Sequence, residues 1–336
     1  MKTFSVHIGI VLIAIAFTGC NSESSKYKKR LEIEVGSVPT LDFKRYEDLL
    51  FSLDTANFQQ ELMAVQKDYQ PFLDGDLNDP MAVKYLKDFA IDPFSLMLYQ
   101  KVKTAFPDLD DVKSMVSGVY RHFIHYYPEI DLPTRVFTCV SGLNSEIPPV
   151  MILDDALVIS LDWYLDGDEV YDLIGLPKYR SERTQPSSLV KDLGSQLYLN
   201  YIQKPHKQTN LLEEMVYSGK MLYFVEAMNP SLSDCTLLGY NQLQMNWVEV
   251  NEGNLWADIV GNQLLYSSEY EVFRIFFADG PFTNEYSHDA PPRLGEFLGL
   301  QILRSYMNNH DCTLQELMQD TDLQGVFQDS KYKPKK

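Results

Sequence analysis

Along most of this chain, apolar residues recur at intervals of three and four, the spacing of a helix that buries one side. "LDFKRYEDLLFSL" and "DTANFQQELMAVQKDY" read as helical stretches broken by turns, the second with Asp54 or Thr55 as its N-cap. Pro80 opens "PMAVKYLKDFA" and Pro93 opens "PFSLMLYQKVKTAF", both suited to a first helical turn, where a missing N–H is not felt. "DLDDVKSMVSGVYRHFIHYY" is a further helix, acidic at its start as the dipole prefers. After Pro133 the period changes. "TRVFTCVSGL", "PPVMILD" and "ALVISLDWYL" read as short strands joined by Gly, Asn and Pro turns, and "LEIEVGSV" at residues 31–38 alternates as a strand does. A loop, "GDEVYDLIGLPKYRSERTQP", then leads to a second helical half. The order predicts an α+β chain, mostly α-helical with a small β-sheet. No Gly/Ser linker divides it, so residues 31–336 read as a single domain: a helical N-terminal half, short strands within 133–165 and a helical C-terminal half.

The first residues follow another pattern. One Lys at position 2 precedes an apolar run from Ile8 to Phe17, which ends at Thr18-Gly19-Cys20. A spanning helix needs about 20 apolar residues, so this run is too short to cross a bilayer, and residues 1–19 fit a signal peptide. Small residues directly before a Cys resemble the bacterial lipobox, which implies cleavage before Cys20 and lipidation of its thiol. Acyl chains contribute about 0.8 kcal/mol per buried CH₂, enough to hold a folded body at a membrane. Residues 20–30 read as a lipidated tether, with Lys26, Lys28, Lys29 and Arg30 near the lipid. Asn21 stands where an Asp would hold a lipoprotein at the inner membrane, so the expected location is the outer membrane, facing the periplasm. Cys139, Cys235 and Cys312 remain after cleavage, an odd number with no close pair, and no disulfide framework is expected.

Composition narrows the partners. Removing Lys2 with the signal takes the formal charge from −18 to −19. So acidic a chain is repelled by phosphate backbones, which argues against nucleic acid. With 45% hydrophobic residues it can bury a large core.

Standard catalytic signatures are absent: GxxxxGK[ST], GxSxG, CxxC and HExxH all fail. "FLDGDLNDP" offers Asp74, Asp76, Asn78 and Asp79 but lacks the Gly and Glu of a calcium hand, and reads as a solvated turn. His122 and His125 have helical spacing, yet no third His follows nearby. The helix "SSLVKDLGSQLYLNYI" places Leu189, Val190, Leu193, Leu197 and Tyr201 on a core side. Lys191 and Ser195 share the other side with Asp192 between them, the spacing at which a zincin presents two His and a Glu. The residue types are wrong, because an ammonium repels Zn²⁺ and Ser is a feeble ligand. In "LLEEMVYSGKMLYFVEAM", Glu214 stands about where a gluzincin supplies its third ligand, and Glu226 falls within the apolar face. No metal, cofactor or catalytic residue is assigned. Lys191, Asp192, Ser195, Glu214 and Glu226 are the candidates for a cleft. Their plainer alternatives are a solvated Lys191, a Ser195 packed on a neighbouring helix, and a Glu226 in a buried salt bridge with Arg293 or Arg304.

"EEMVYSGKMLYFVEAMNP", "NEGNLWADIVGNQLLYSSE", "APPRLGEFLGLQILRSYM" and "SKYKP", together with the lipobox, resemble the gliding-motility lipoprotein family GldB of Bacteroidetes. The resemblance covers nearly the whole mature chain and is densest from about 210 to 334. It implies an envelope lipoprotein needed for surface gliding, with partners in the type IX secretion apparatus. Such proteins are also similar in outline to predicted zinc peptidases, which implies a degenerate zincin-like architecture. Their HExxH would fall at "KDLGS", where this chain has Lys191, Asp192 and Ser195, so peptidase activity is not carried over. The expected function is a non-catalytic binding scaffold; the alternative is a metal-dependent peptidase or hydrolase with an unconventional site.

Overall fold

The structure is a computed structural model and describes residues 25–334 apart from 154 and 168. Cys20 and the signal peptide lie outside the described residues. Helices take up 57% of it, beside one small mixed sheet. Proline and side-chain caps start them as the sequence indicates. Asp79 accepts from Met81 N ahead of Pro80, and Asp92 accepts from Ser95 N ahead of Pro93. Asn241 with Gln244 and Thr313 with Glu316 form capping boxes. Neither Asp54 nor Thr55 caps the third helix, which begins at Phe58 behind Asn57; Asp54 accepts from Ala56 N in the preceding turn. Among the described residues no helix is long and apolar enough to cross a membrane.

Four strands form the sheet: β1 (Asp42–Arg45), β2 (Arg135–Cys139), β3 (Val150–Ile152) and β4 (Ala156–Ser160). Their order is β1-β2-β4-β3. The first two junctions are parallel, with Phe43 opposite Val136 and Val136 opposite Leu157. β3 runs antiparallel to β4, with Met151 opposite Val158. β2 and β4 are nearly unbroken apolar runs because both faces are covered. Val136, Leu157 and Ile159 enter the main core, while Phe137, Cys139, Ala156 and Val158 face a smaller cluster with Tyr46, Leu50, Phe58 and Leu62.

Three readings of the N-terminal region need correction. Residues 31–38 do not form a strand. Leu31 ends a helix, Lys26–Leu31, and the chain then runs extended without a ladder partner until β1, which had read as part of a helix. The tether is shorter than residues 20–30 for the same reason. Tyr27 and Leu31 are buried, Tyr27 N–H donates to Asn308, and Arg30 donates to the carbonyls of His310 and Cys312.

The main core is organised by the Leu211–Met228 helix, apolar on nearly every side, and the Leu294–Asn309 helix that crosses it. Both carry a glycine at the crossing. A Cβ on Gly299 would lie 1.9 Å from the Met215 carbonyl oxygen, and one on Gly219 would lie 2.5 Å from the Gly299 carbonyl carbon. At the far end Arg304 clamps Glu226, with Nη2–Oε1 at 2.8 Å and Nε–Oε2 at 3.0 Å, and it also holds Asp234. Burial pushes the Glu226 carboxyl up, and Arg304 pulls it back.

The crossing gives a direct test. Gly299→Ala is expected to destabilise the protein by about 3 kcal/mol, because the backbones must separate. Gly118→Ala, on the Asp110–Tyr126 helix with nothing within 4 Å of the new carbon, is the control and is expected to gain roughly 0.5–1 kcal/mol. Urea unfolding of both variants measures the contrast, and equal midpoints would refute the close crossing.

Candidate functional site

A cleft of about 950 Å³ opens where the strand region meets the second helical half. Its floor is the Ser188–Leu197 helix, which turns Leu189, Val190, Leu193 and Leu197 into the core. One wall is the 145–149 segment together with Trp163 and Tyr164, and the lining also includes Gly239, Tyr240, Asn241, Gln242 and Gln244. Asp162, fully buried behind the first wall, ties it down. It accepts from Ser141 N at 3.0 Å and Leu143 N at 2.9 Å, in a turn where Gly142 and Leu143 both have positive φ. Tyr171 OH donates to the Asp162 carbonyl and accepts from Leu165 N, both at 3.0 Å, so the turn carrying Trp163 and Tyr164 is held from both sides.

Lys191 and Asp192 both line the cleft. The Tyr164 hydroxyl donates to Asp192 Oδ2 at 2.8 Å. Burial pushes the Asp192 carboxyl up, against the pull of Lys191 and of this hydrogen bond. Lys191 is half-buried, and its amine makes no hydrogen bond or ion pair with any described residue. Loss of water, followed by the charge of Arg293, brings its pKa down to about 8, although Asp192 and Glu296 oppose the shift. It is neither freely solvated nor satisfied.

Around Lys191 the charges are organised by Asp279. Arg183 Nη1 is 2.8 Å from Asp279 Oδ1, Arg180 Nε is 3.1 Å from Oδ2, and Arg293 Nε stands 3.7 Å away. Burial resists ionisation of Asp279, yet Arg183, Arg293 and Arg180 together hold its carboxyl below the usual range. Arg293 also reaches Glu296 at 2.9 Å and the Leu238 carbonyl at 2.6 Å, from a backbone with φ +58°. Such a left-handed residue costs roughly 1–2 kcal/mol. Tyr240 OH, donating to the Pro292 carbonyl at 2.6 Å, helps to fix that turn. Gly239, at φ +66°, is needed between the guanidiniums: a Cβ there would meet Arg293 Nη2 at 3.3 Å and Arg183 Nε at 3.4 Å.

Three residues expected at the cleft are elsewhere. Ser195, one turn beyond Lys191, is half-buried and does not line it. Glu214 faces His206 at 3.3 Å instead. Glu226 is the buried partner of Arg304, one of the two arginines offered as its plainer alternative. His122 Nδ1 is 2.9 Å from the Gly118 carbonyl, and Asp76 and Asp79 cap their own turns. Among the described residues no group of three or more His, Cys, Asp or Glu is placed to hold a metal ion. Sequence reasoning missed Tyr164, Trp163, Arg183, Arg293, Asp279 and Tyr240. One signal was there to read: "KYRSER" gathers three cations in a chain whose net charge is −18.

The described residues thus define a mostly helical α+β body with a ligand-sized cleft floored by an unpartnered lysine. The chain belongs to the family of gliding motility protein GldB, whose profile matches residues 28–334. Membership makes it an envelope-associated lipoprotein of gliding motility. No curated protein and no solved structure matches the chain.

The state of Lys191 sets a stability prediction. Its folded pKa of about 8 lies below the roughly 10.4 of an unfolded lysine. The cost of keeping the charge in the cleft is therefore complete below pH 8 and disappears as pH rises through the window to about 10.4. Lys191→Met is expected to be more stable than the natural protein by about 1–2 kcal/mol at pH 7, with the gap closing toward pH 10. Lys220, also lowered to about 8, is present in both proteins and cancels. Thermal melts across this range measure the difference, and a Met variant that is weaker throughout would make the lysine a structural cation.

Proposed function

We propose that this protein is a lipid-anchored, non-catalytic binding scaffold of the gliding and type IX secretion apparatus, working through the cleft floored by Lys191 and Asp192. The observation that carries the reading is the Lys191 ammonium, which stands in the cleft at the place where the resemblance to zinc peptidases would put a metal ligand. A dication is repelled there. Ser195 and Glu214, which would complete such a site, do not line the cleft. A peptidase-like outline reused for binding is part of the same reading.

Lipidation at Cys20 fits the short lead into the folded body. Only six residue steps separate it from Lys26, where the first helix starts. At about 3.5 Å per step the tether reaches roughly 20 Å. The body is held close to the bilayer, with Lys26, Lys28 and Lys29 exposed at its near end. Asn21 in place of Asp supports the outer membrane and its periplasmic side.

Two variants test this in a strain lacking the gene. Cys20→Ala is expected to leave the membrane fraction and to lose complementation of spreading or secretion. Leu176→Trp, which narrows the cleft from a half-buried position on its lining, is expected to stay folded and membrane-bound yet fail to complement. Stoichiometric zinc in the purified protein, with peptide cleavage that stops when the zinc is chelated, would overturn the scaffold reading in favour of a hydrolase.

A further inference from the structure

Within the cleft the demand for hydrogen-bond partners is one-sided. Lys191 offers three N–H donors and no described residue accepts from them. Two further lining residues, Trp163 and Arg183, each bury an Nε–H that meets no acceptor. Behind them Arg293 Nε is unmet as well, 3.7 Å from Asp279. The indole and guanidinium nitrogens are buried, and native proteins rarely leave such donors without partners, because each costs roughly 1–3 kcal/mol; the Lys191 amine is half-buried and stays open to the cleft. Of these, the Lys191 ammonium is the donor set that a bound molecule can reach in the cleft, and a group that only accepts hydrogen bonds and carries negative charge answers it, with the guanidiniums adding to the positive field.

We infer that the cleft takes a single carboxylate of a partner polypeptide, with its apolar neighbour laid against the wall formed by Ile147, Pro148, Pro149 and Leu176. Two features exclude broader anions. The rim carries exposed carboxylates, Glu146, Asp166 and Glu182, which repel a polyanion such as a nucleic acid or a run of acidic side chains. The wall beside the ammonium is apolar and aromatic, which gives an inorganic ion nothing to bury and a peptide side chain a place to lie. Asp192 does not supply the missing acceptor. Its Oδ2 is taken by Tyr164, and although the two charges attract, no hydrogen bond or close ion pair joins it to Lys191.

The inference rests on the scaffold reading and can fail separately from it. The probes are acetyl-Gly-Ala-Leu with a free C-terminal carboxylate, the same peptide as its C-terminal amide, and succinate, titrated calorimetrically into the full chain in detergent. The acid is expected to bind at least about tenfold more tightly than the amide and more tightly than succinate. Lys191→Met is expected to abolish that preference and Lys191→Arg to keep it. A melt of Lys191→Met at or above the natural value excludes misfolding as the cause. Equal binding of acid and amide would overturn the carboxylate and leave a peptide-binding cleft standing. Succinate binding as well as the peptide would overturn the polypeptide source. Absence of binding by every probe would overturn the inference, while Leu176→Trp reports on the scaffold reading by its own assay.

Discussion

The backbone contact between Gly219 and Gly299 is the constraint on which the rest of the molecule hangs. Two helices, each buried on almost all sides, can touch main chain to main chain only where neither carries a Cβ. That contact sets the rotation of both helices and so decides which residues face one another along their length. Arg304 can reach Glu226 with two hydrogen bonds because the crossing brings them into register. The rotation also presents Val225 to the floor helix, whose Gly194 would place a Cβ 3.3 Å from Val225. Gly194 lies two residues beyond Asp192. The height of the cleft floor is thus passed down from a helix crossing deep in the core.

Much of this architecture is legible in the sequence, for reasons that also explain the failures. Long helices with Pro or Asp at their starts are local structures, and their residues state them. β2, β3 and β4 are short but mostly apolar between turn residues, and they too are visible. "LEIEVGSV" misleads because alternation signals extended chain, not pairing. Glu32 and Glu34 are exposed and Ile33 and Val35 half-buried, as a strand would have them, but among the described residues no strand pairs with them. β1 is missed because four residues, "DFKR", are too few to show a period. Its place is settled by a distant partner, with Asp42 opposite Arg135.

The site divides along the same line. Lys191 and Asp192 were found from a helical face, since the apolar side of an amphipathic helix also fixes its polar side. Glu214 and Glu226 were misplaced because the helix that carries them is apolar nearly all round, so spacing alone cannot say which way a residue faces. The arginine cluster is only partly legible, for a third reason: "KYRSER" shows cations but not the carboxylate that gathers them. Arg183 and Asp279 are 96 residues apart, and only the folded chain brings them to 2.8 Å.

Two lysines show why a displaced pKa is not by itself a sign of function. Lys191 and Lys220 are both brought down to about 8, chiefly by loss of water. Lys220 spends its protons inside the molecule, donating to the carbonyls of Asp320 at 2.6 Å and Met318 at 3.2 Å, where a helix ends and cations are favoured. Its burial is repaid by structure. Lys191 donates to nothing in the described protein, beside guanidiniums that raise the cost of its charge. An acidic chain with many carboxylates could have placed one against it, and Asp192, the adjacent residue, is drawn instead to Tyr164. A cation kept half-buried in a cleft, with no described residue accepting its hydrogen bonds, is intelligible if the acceptor arrives from outside.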